Sequence, residues 1–273
     1  MALKLWGITV LGLYGVSAFI YLLYFITQKQ SLKQITSLVL GTAALLHFID
    51  IIILTISFDR IPIVSVFEVL TTATFIFAVV YLVLEAFIKD KSMGVLIAPI
   101  LLLFQCIAVA GIDTTPKALP PQLSGLSYRI HVVLMMLAYS GFAIAFIASS
   151  MHLLLAREIH RKRLGFFFSR IPSLELLDRL NSSAAGLGFA FATAGMLGGF
   201  LMAVQYWGNP MPLDPKFISF FLIWCLYCFH IFARLKLGWR GERSSWLSVI
   251  GFMCVIGTFL IVSLYLTKLH LYI

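Results

Sequence analysis

Long runs of apolar residues, separated by short polar stretches, make up most of the chain. A membrane-spanning α-helix needs about 20 predominantly apolar residues, and eight runs approach or exceed that length. Because the runs are continuously apolar and do not alternate with polar residues, they indicate helices and not the strands of a membrane β-barrel. We therefore predict a single all-α domain over residues 1–273, a polytopic bundle of eight transmembrane helices. The predicted spans cover about residues 5–27, 35–57, 64–88, 94–111, 130–156, 182–206, 217–235 and 245–266.

The composition is typical of a protein embedded in lipid. Apolar residues make up 61% of the 273 residues and charged residues 11%, and the mean hydropathy is +1.02. Soluble domains have about 25% charged residues, so this chain has too few charges to cover a water-exposed globule. The formal charge of +9 does not indicate nucleic acid, because the lysines and arginines lie in short loops between the apolar runs. We expect membrane lipid around the protein and no nucleic-acid partner.

The distribution of basic residues predicts the orientation of the bundle. Fourteen lysines and arginines lie on one side of the predicted spans and six on the other. Because cytoplasmic loops carry the excess of basic residues in membrane proteins, the side with fourteen is predicted to be cytoplasmic. Both termini then lie outside. The largest cytoplasmic segment is the basic loop 157–181.

Four histidines fall at two predicted depths. His47 lies near the middle of the second span and His230 well inside the seventh. His131 opens the fifth span and His270 follows the eighth. Ionisable residues at membrane depth face the bundle interior and are functional candidates, and two depth-matched pairs suit bis-histidine ligation of haem iron. A single buried histidine is more often a hydrogen-bonded interior residue, so both interpretations stay open.

A carboxylate accompanies one of these histidines. Asp50 follows His47 by three residues and therefore lies on the same helix face. It either accepts a hydrogen bond from the His47 ring, as an outer partner of a metal ligand does, or faces water near the outer interface. The sequence favours neither alternative.

The seventh span contains a near match to the attachment site of c-type haem. That pattern, C-x-x-C-H, places the histidine directly after the second cysteine, but here Phe229 separates Cys228 from His230. Cys225 and Cys228 are three residues apart on one face of the predicted helix. They are interpreted as small packing residues or, alternatively, as a zinc or redox pair. All four cysteines lie within apolar runs, so no disulfide framework is indicated.

A series of short motifs follows the sixth span. A Trp-Gly pair precedes Asp-Pro-Lys, and a Gly-Trp-Arg-Gly block follows with a spaced arginine, Trp-Leu, Gly-Phe and a final histidine. These residues are Trp207-Gly208, Asp214-Pro215-Lys216, Gly238-Trp239-Arg240-Gly241, Arg243, Trp246-Leu247, Gly251-Phe252 and His270. In this order they resemble the cytochrome c assembly family of the CcsA, ResC and HemX type. The resemblance covers most of the chain after residue 60.

The resemblance implies a protein that binds haem b without a covalent link, in a bacterial cytoplasmic (inner) membrane. In the family, an outer histidine pair flanks the tryptophan-rich loop and holds haem at the outer face, and a second pair lies within the membrane. The histidines are the implied axial ligands of the haem iron. The residues implied to bind haem are the outer pair His131 and His270, the membrane pair His47 and His230, and Trp207, Gly208 and Asp214 of the loop.

Departures from the family pattern favour one subgroup. Met211 and Leu213 replace the second and third tryptophans of the outer loop. The compact build, with almost no soluble domain, is similar to HemX, which is associated with haem-dependent restraint of glutamyl-tRNA reductase. We therefore predict a non-enzymatic haem-binding protein that regulates glutamyl-tRNA reductase and tetrapyrrole biosynthesis. The alternatives are a haem export or ligation component of cytochrome c assembly and a b-type electron carrier to or from quinone.

Overall fold

All regular structure in the described part of the chain is helical. The computed structural model describes residues 2–111, 125–162, 165, 168–207 and 215–258, and no strand occurs in these ranges. The prediction of an all-α protein is therefore confirmed. The helices, in chain order, are α1 Ala2–Thr27, α2 Gln30–Phe58, α3 Val66–Ile88, α4 Gly94–Gly111, α5 Leu126–His160, α6 Leu174–Trp207, α7 Pro215–Lys236 and α8 Glu242–Gly257.

Seven of these helices, α1 to α7, are long and apolar enough to cross a membrane. The prediction of a multi-pass membrane protein is confirmed. Helix α8 is described over 16 residues, and the remainder of the predicted eighth span, from residue 259 on, lies outside the described residues. The count of eight spans and the outside placement of both termini stay predictions.

Helices α5 and α6 extend well beyond their predicted spans. Predicted over 130–156 and 182–206, they cover Leu126–His160 and Leu174–Trp207. Much of the predicted loop 157–181 is therefore helix. Hydropathy detects only the part of a helix that lies in the hydrocarbon, whereas backbone hydrogen bonding continues until a cap ends it. For α6 that cap is Ser173, whose Oγ accepts a hydrogen bond from the Leu176 backbone N–H at 3.3 Å.

The start of α3 shows how local chemistry sets a helix boundary. Ser65 caps the helix by accepting from the Glu68 backbone N–H at 3.2 Å. Glu68 in turn accepts from the Val64 N–H at 3.0 Å and from both terminal nitrogens of Arg60 at 2.6 and 3.0 Å. This variant of a capping box, reinforced by a bidentate ion pair, holds the connection between α2 and α3 in one conformation.

The chain forms two compact units. The first contains α1 to α4 together with the described part of Gly165–Pro172, and the second contains α5 to α8. Each histidine of the predicted membrane pair lies in a different unit, His47 in the first and His230 in the second. The single domain predicted for residues 1–273 stays a prediction.

In the first unit, α1 packs against α2 and α4, and α3 packs against α4 and α2. Helix α4 begins at Gly94, which lies against the Tyr21 ring. A Cβ added at Gly94 would lie 2.0 Å from that ring, so a side chain does not fit there. The Tyr21 hydroxyl donates to Glu85 Oε2 at 2.7 Å, and Ser37 Oγ donates to Glu85 Oε1. The buried carboxylate of α3 is therefore hydrogen-bonded to α1 and α2.

In the second unit, the closest helix contact joins α5 and α6. A Cβ added at Gly141 would lie 2.8 Å from the Gly188 Cα atom, and one added at Gly188 would lie 2.7 Å from the Phe142 ring. Small residues at such contacts allow two backbones to approach closely, which is how transmembrane helices associate in lipid. Helix α8 packs on α5 and α7.

Candidate functional site

Three of the four predicted histidine ligands lie in described helices. His131 is in α5, His47 in α2 and His230 in α7. His270 lies outside the described residues, as do Gly208 and Asp214. Trp207 is the last residue of α6, and its side chain is not among those described. The site is therefore built from the three histidines and their surroundings.

His131 has the hydrogen bonding expected of a metal-ligating imidazole. Its Nδ1 lies 2.7 Å from the backbone carbonyl oxygen of Gly195 in α6. A carbonyl oxygen only accepts, so Nδ1 carries the proton and donates, and the lone pair of the neutral ring is on Nε2. A carbonyl partner on one ring nitrogen is what orients a histidine whose other nitrogen binds metal. This hydrogen bond is compatible with ligation of haem iron by His131, which stays a prediction.

Glycines of α6 bring its backbone close to the His131 ring. A Cβ added at Gly199 would lie 3.1 Å from His131 Cε1, and one added at Gly198 would lie 3.8 Å from His131 Cβ. The first distance is tighter than ordinary van der Waals contact, so alanine at position 199 would displace the ring. The orientation of His131 thus depends on α6 through both the Gly195 carbonyl and the absent side chain of Gly199.

His47 is buried, with 0% of its surface exposed, and both ring nitrogens are hydrogen-bonded. Tyr14 Oη lies 3.0 Å from Nδ1, and Thr71 Oγ1 lies 3.0 Å from Nε2. Thr71 donates its own proton to Gln105 Oε1 at 3.1 Å, so its oxygen accepts from the His47 Nε2–H. The neutral ring then accepts from the Tyr14 hydroxyl at Nδ1. The four residues form one chain whose donors all point from Tyr14 towards Gln105.

Asp50 follows neither of the two alternatives predicted for it. The His47 ring nitrogens have Tyr14 and Thr71 as partners, and Asp50 is only 2% exposed and so does not face the bulk water of the outer interface. Its Oδ1 is buried and has no hydrogen-bond partner among the residues that the structure describes. The sequence placed Asp50 on the correct helix but could not supply the residues of α1, α3 and α4 that surround it.

His230 is enclosed in a polar cluster of α6, α7 and α8. Its Nε2 lies 2.9 Å from Ser244 Oγ and its Nδ1 3.4 Å from Ser248 Oγ. Ser248 donates to Asn181 Oδ1 at 2.5 Å, and Asn181 Nδ2 donates to Ser244 Oγ at 3.2 Å. If Ser244 donates to Nε2, the four residues close a ring in which each donor has an acceptor. All four are buried.

Iron binding at the predicted membrane pair therefore requires a hydroxyl group to move. In the arrangement described, the lone pair of His47 accepts from Tyr14 and that of His230 accepts from Ser244. A hydroxyl rotates readily, so each ring can exchange this hydrogen bond for a metal bond while the opposite nitrogen keeps its partner. Nothing in the structure tests this exchange, and ligation by His47 and His230 stays a prediction.

An ion pair beside His230 explains part of the Gly-Trp-Arg-Gly motif. Both terminal nitrogens of Arg234 donate to the Asp178 carboxylate at 3.0 and 2.9 Å. Asp178 Oδ1 also accepts from the Gly241 backbone N–H at 2.9 Å. Gly241 has φ +60° and Gly238 φ +67°, conformations that L side chains rarely adopt. The two glycines of the motif thus shape the turn that Asp178 holds against α7.

Sequence reasoning missed Asp178 and Asn181. They lie in the first turns of α6, in a stretch assigned to the cytoplasmic loop. Two polar residues three positions apart, flanked by leucines, were the available signal. The partners of Asp178 and Asn181 are 56 to 67 residues away in the chain, so their roles become visible only in the folded unit.

The cysteines of α7 are free thiols. Cys225 is exposed on the helix and Cys228 partly exposed. Over the described ranges, no group of three or more histidine, cysteine or acidic side chains could hold a metal ion. The zinc interpretation of this pair has no support there.

Comparison with known proteins identifies similar chains over nearly the whole sequence. The family model described as "Cytochrome C assembly protein" matches residues 5–270. The cytochrome c biogenesis protein CcsA of Chlamydomonas reinhardtii is 30% identical over 186 residues, covering 67% of this chain and 52% of the relative. CcsA of Mesostigma viride is 26% identical over 260 residues, 85% of each chain. CcsA of Gloeobacter violaceus is 23% identical over 266 residues, 78% of this chain and 79% of the relative.

A solved structure shows the same fold. The chain titled "Cytochrome c Heme Lyase CcmF" superposes with a TM-score of 0.64 at 15% identity, covering 95% of this chain and 46% of that one. At this identity the likeness concerns the fold alone. Our chain spans about half the length of the Chlamydomonas relative and less than half of the solved chain.

These similarities correct the predicted function. Regulation of glutamyl-tRNA reductase by a HemX-type protein is wrong, and glutamyl-tRNA reductase has no support as a partner. The alternative, cytochrome c assembly, is the reading that the similarities favour. The prediction gave most weight to Met211 and Leu213, two positions in one loop, whereas similarity to a CcsA protein extends over 85% of the chain.

Proposed function

Because the chain belongs to the cytochrome c assembly protein family, we propose that it handles haem within the membrane for attachment to apocytochrome c. The observation that carries the proposal is the hydrogen bond of His131, in which Nδ1–H donates to a backbone carbonyl. In the neutral ring this tautomer has its lone pair on Nε2, as an iron ligand needs. The family match supplies the reaction context, and the His131 geometry supplies a residue in this chain that can take part.

In this proposal His131 would hold a haem at the outer face, together with His270 as the family resemblance implies. The haem is b-type, held by the protein without a covalent link until it is passed on. When bound, it supplies the vinyl groups to which cytochrome c cysteines are joined. The protein's own contribution is to hold and orient it, since His131 is itself oriented by α6.

The enzymatic form of the proposal is haem ligation. The solved chain with this fold is titled a heme lyase, and this chain corresponds to 46% of it. Ligation by this chain, alone or with a further subunit, is therefore part of the proposal. The membrane is one in which cytochromes c are assembled, and we propose a bacterial cytoplasmic membrane or a plastid membrane, since the relatives include both sources.

The test uses a strain that lacks the protein and is complemented with the native chain, His131→Ala or His160→Ala. We expect holocytochrome c, measured by haem staining of denaturing gels, to be restored by the native chain and lost with His131→Ala. His160, at the far end of α5 with a side chain 72% exposed, is the matched control and should restore it. Normal holocytochrome c in the deletion strain would refute the proposal.

The spectrum of the purified protein provides the second readout. A low-spin b-type α-band after reduction is expected in the native chain and in His160→Ala, and a weakened band in His131→Ala. His47→Ala and His230→Ala are measured in the same series. An α-band that is unchanged in both variants would exclude His47 and His230 as ligands of the haem iron. A native protein that contains no haem and takes up none would contradict every haem assignment.

A further inference from the structure

Among the buried polar atoms of the first unit that have no hydrogen-bond partner in the described residues, two belong to residues that line one cavity. They are Asp50 Oδ1 in α2 and Gln105 Nε2 in α4. Gln105 is 0% exposed and Asp50 2%. A buried polar group without a partner costs about 1–3 kcal/mol, so buried groups of this kind normally have one. One of these atoms is an acceptor and the other a donor.

The two groups line the same cavity. All four helices of the first unit contribute to its wall, which also includes Lys4 and Gly7 of α1, Leu54 of α2 and Thr71 of α3. Most of the wall is apolar. The polar residues of the wall are Lys4, Asp50, Thr71 and Gln105.

The cavity interrupts a directed hydrogen-bond chain. Tyr14 donates to His47, His47 to Thr71, and Thr71 to Gln105 Oε1, with distances of 3.0, 3.0 and 3.1 Å. The next donor in this direction is Gln105 Nε2, which is unpartnered, and the next acceptor is Asp50 Oδ1, which is also unpartnered. A molecule that accepts one hydrogen bond and donates another would complete the chain.

We propose that this cavity binds a water molecule that accepts from Gln105 Nε2 and donates to Asp50 Oδ1. Buried waters make about three hydrogen bonds to otherwise unsatisfied groups, and the Thr71 hydroxyl or Lys4 supplies a third partner. The water joins Tyr14, His47, Thr71, Gln105 and Asp50 into one chain that ends on a carboxylate. It thereby connects the His47 ring to an acidic group, independently of the proposed haem function.

An ion pair between Lys4 and Asp50 is the competing arrangement. It would supply a partner for Asp50 Oδ1, but it would leave Gln105 Nε2 unsatisfied because an ammonium group cannot accept a hydrogen bond. Water satisfies both atoms at once. The experiment must therefore detect water itself.

X-ray radiolytic footprinting of the full chain in lipid nanodiscs, in ¹⁸O-labelled water, detects bound water through oxidation of the side chains beside it. Leu54 lines the cavity, and Leu40, in the same helix and also buried, does not. We expect ¹⁸O label on Leu54 and none on Leu40. Equal absence of label from both leucines in the native chain would overturn the proposal without any variant being needed.

Two variants at position 50 separate water from the ion pair. Asp50→Asn keeps an oxygen that accepts from water but removes the charge that attracts Lys4, so the label on Leu54 should persist. Asp50→Leu fills the cavity with a branched apolar side chain, so the label should be lost. Loss of label in Asp50→Asn, or its retention at the native level in a folded Asp50→Leu protein, would contradict a water held by Gln105 and Asp50.

Discussion

The histidines of the two units lie in hydrogen-bond networks of opposite kind. His230, in the second unit, belongs to a ring closed by Ser244, Ser248 and Asn181. His47, in the first unit, belongs to an open chain that stops at Gln105, with the Asp50 carboxylate beyond it. The protein alone satisfies the closed ring, so that ring stabilises the contact of three helices. The open chain needs a small molecule to complete it, so it marks a place where the interior of the unit is hydrated.

The largest effect should come from the ion pair that supports the closed ring. Arg234→Met removes both hydrogen bonds to Asp178 and leaves a carboxylate that is 13% exposed without its cation. Breaking a buried pair in this way costs about 3–5 kcal/mol, and partial exposure reduces the expected loss in the free energy of unfolding to about 2–3 kcal/mol. Equilibrium unfolding of the purified protein measures the difference.

The matched control is the ion pair of Arg179 with Glu175 on α6. Both side chains are mostly exposed, at 69% and 75%, and four residues apart on one helix. Arg179→Met should leave the unfolding free energy unchanged within error, because exposed pairs contribute little. Similar losses of unfolding free energy in Arg234→Met and Arg179→Met would show that burial of the Asp178 pair does not increase its contribution to stability.

An intermediate effect should distinguish the ring from the chain directly. Asn181→Leu breaks the ring at two bonds and leaves the buried Ser248 hydroxyl without its acceptor and the Ser244 oxygen without one donor, so we expect a loss of about 2 kcal/mol. Gln105→Leu breaks one bond with protein, and the Thr71 hydroxyl it leaves can rotate, so we expect about 1 kcal/mol. Thermal or chemical unfolding of both variants checks the order. A larger loss for Gln105→Leu than for Asn181→Leu would contradict the distinction between the closed ring and the open chain.

The smallest effect concerns the fit of α6 against His131. Gly186→Ala, where no atom lies within 4 Å of the new Cβ, should gain about 0.5–1 kcal/mol from helix propensity. Gly199→Ala should gain less, because its Cβ would lie 3.1 Å from the His131 ring. The same contact should weaken the reduced haem band only in Gly199→Ala. Equal haem bands in Gly186→Ala and Gly199→Ala would show that haem binding does not depend on the orientation of the His131 ring.

The sequence predicted the helices well where one physical signal dominates. Continuous apolar runs gave all seven of the long helices, and the span predicted over 94–111 coincides with Gly94–Gly111. The spans predicted for α5 and α6 were too short, because charged residues beyond the hydrocarbon remain helical. Those ends depend on caps such as Ser173 and not on hydropathy.

The burial of the candidate histidines was predictable from the sequence, but their contacts were not. Helix position was enough to select His47, His131 and His230 as buried or half-buried polar groups. Their partners were not accessible to the same reasoning, because Tyr14 is 33 residues from His47 and Gly195 is 64 residues from His131. The functional prediction was wrong for a related reason, since it rested on one short loop and not on the whole chain.

The spacing of two residues on α7 has a mechanical consequence. His230 and Arg234 are four residues apart and therefore lie on the same face of one helix. Any rotation of α7 about its own axis that withdrew His230 from Ser244 would also pull Arg234 away from Asp178, and both contacts would have to break in the same movement. Helix α7 is thus fixed in its rotation about its own axis, and His230 can change partner only through movements of side chains, its own or those of its serine partners.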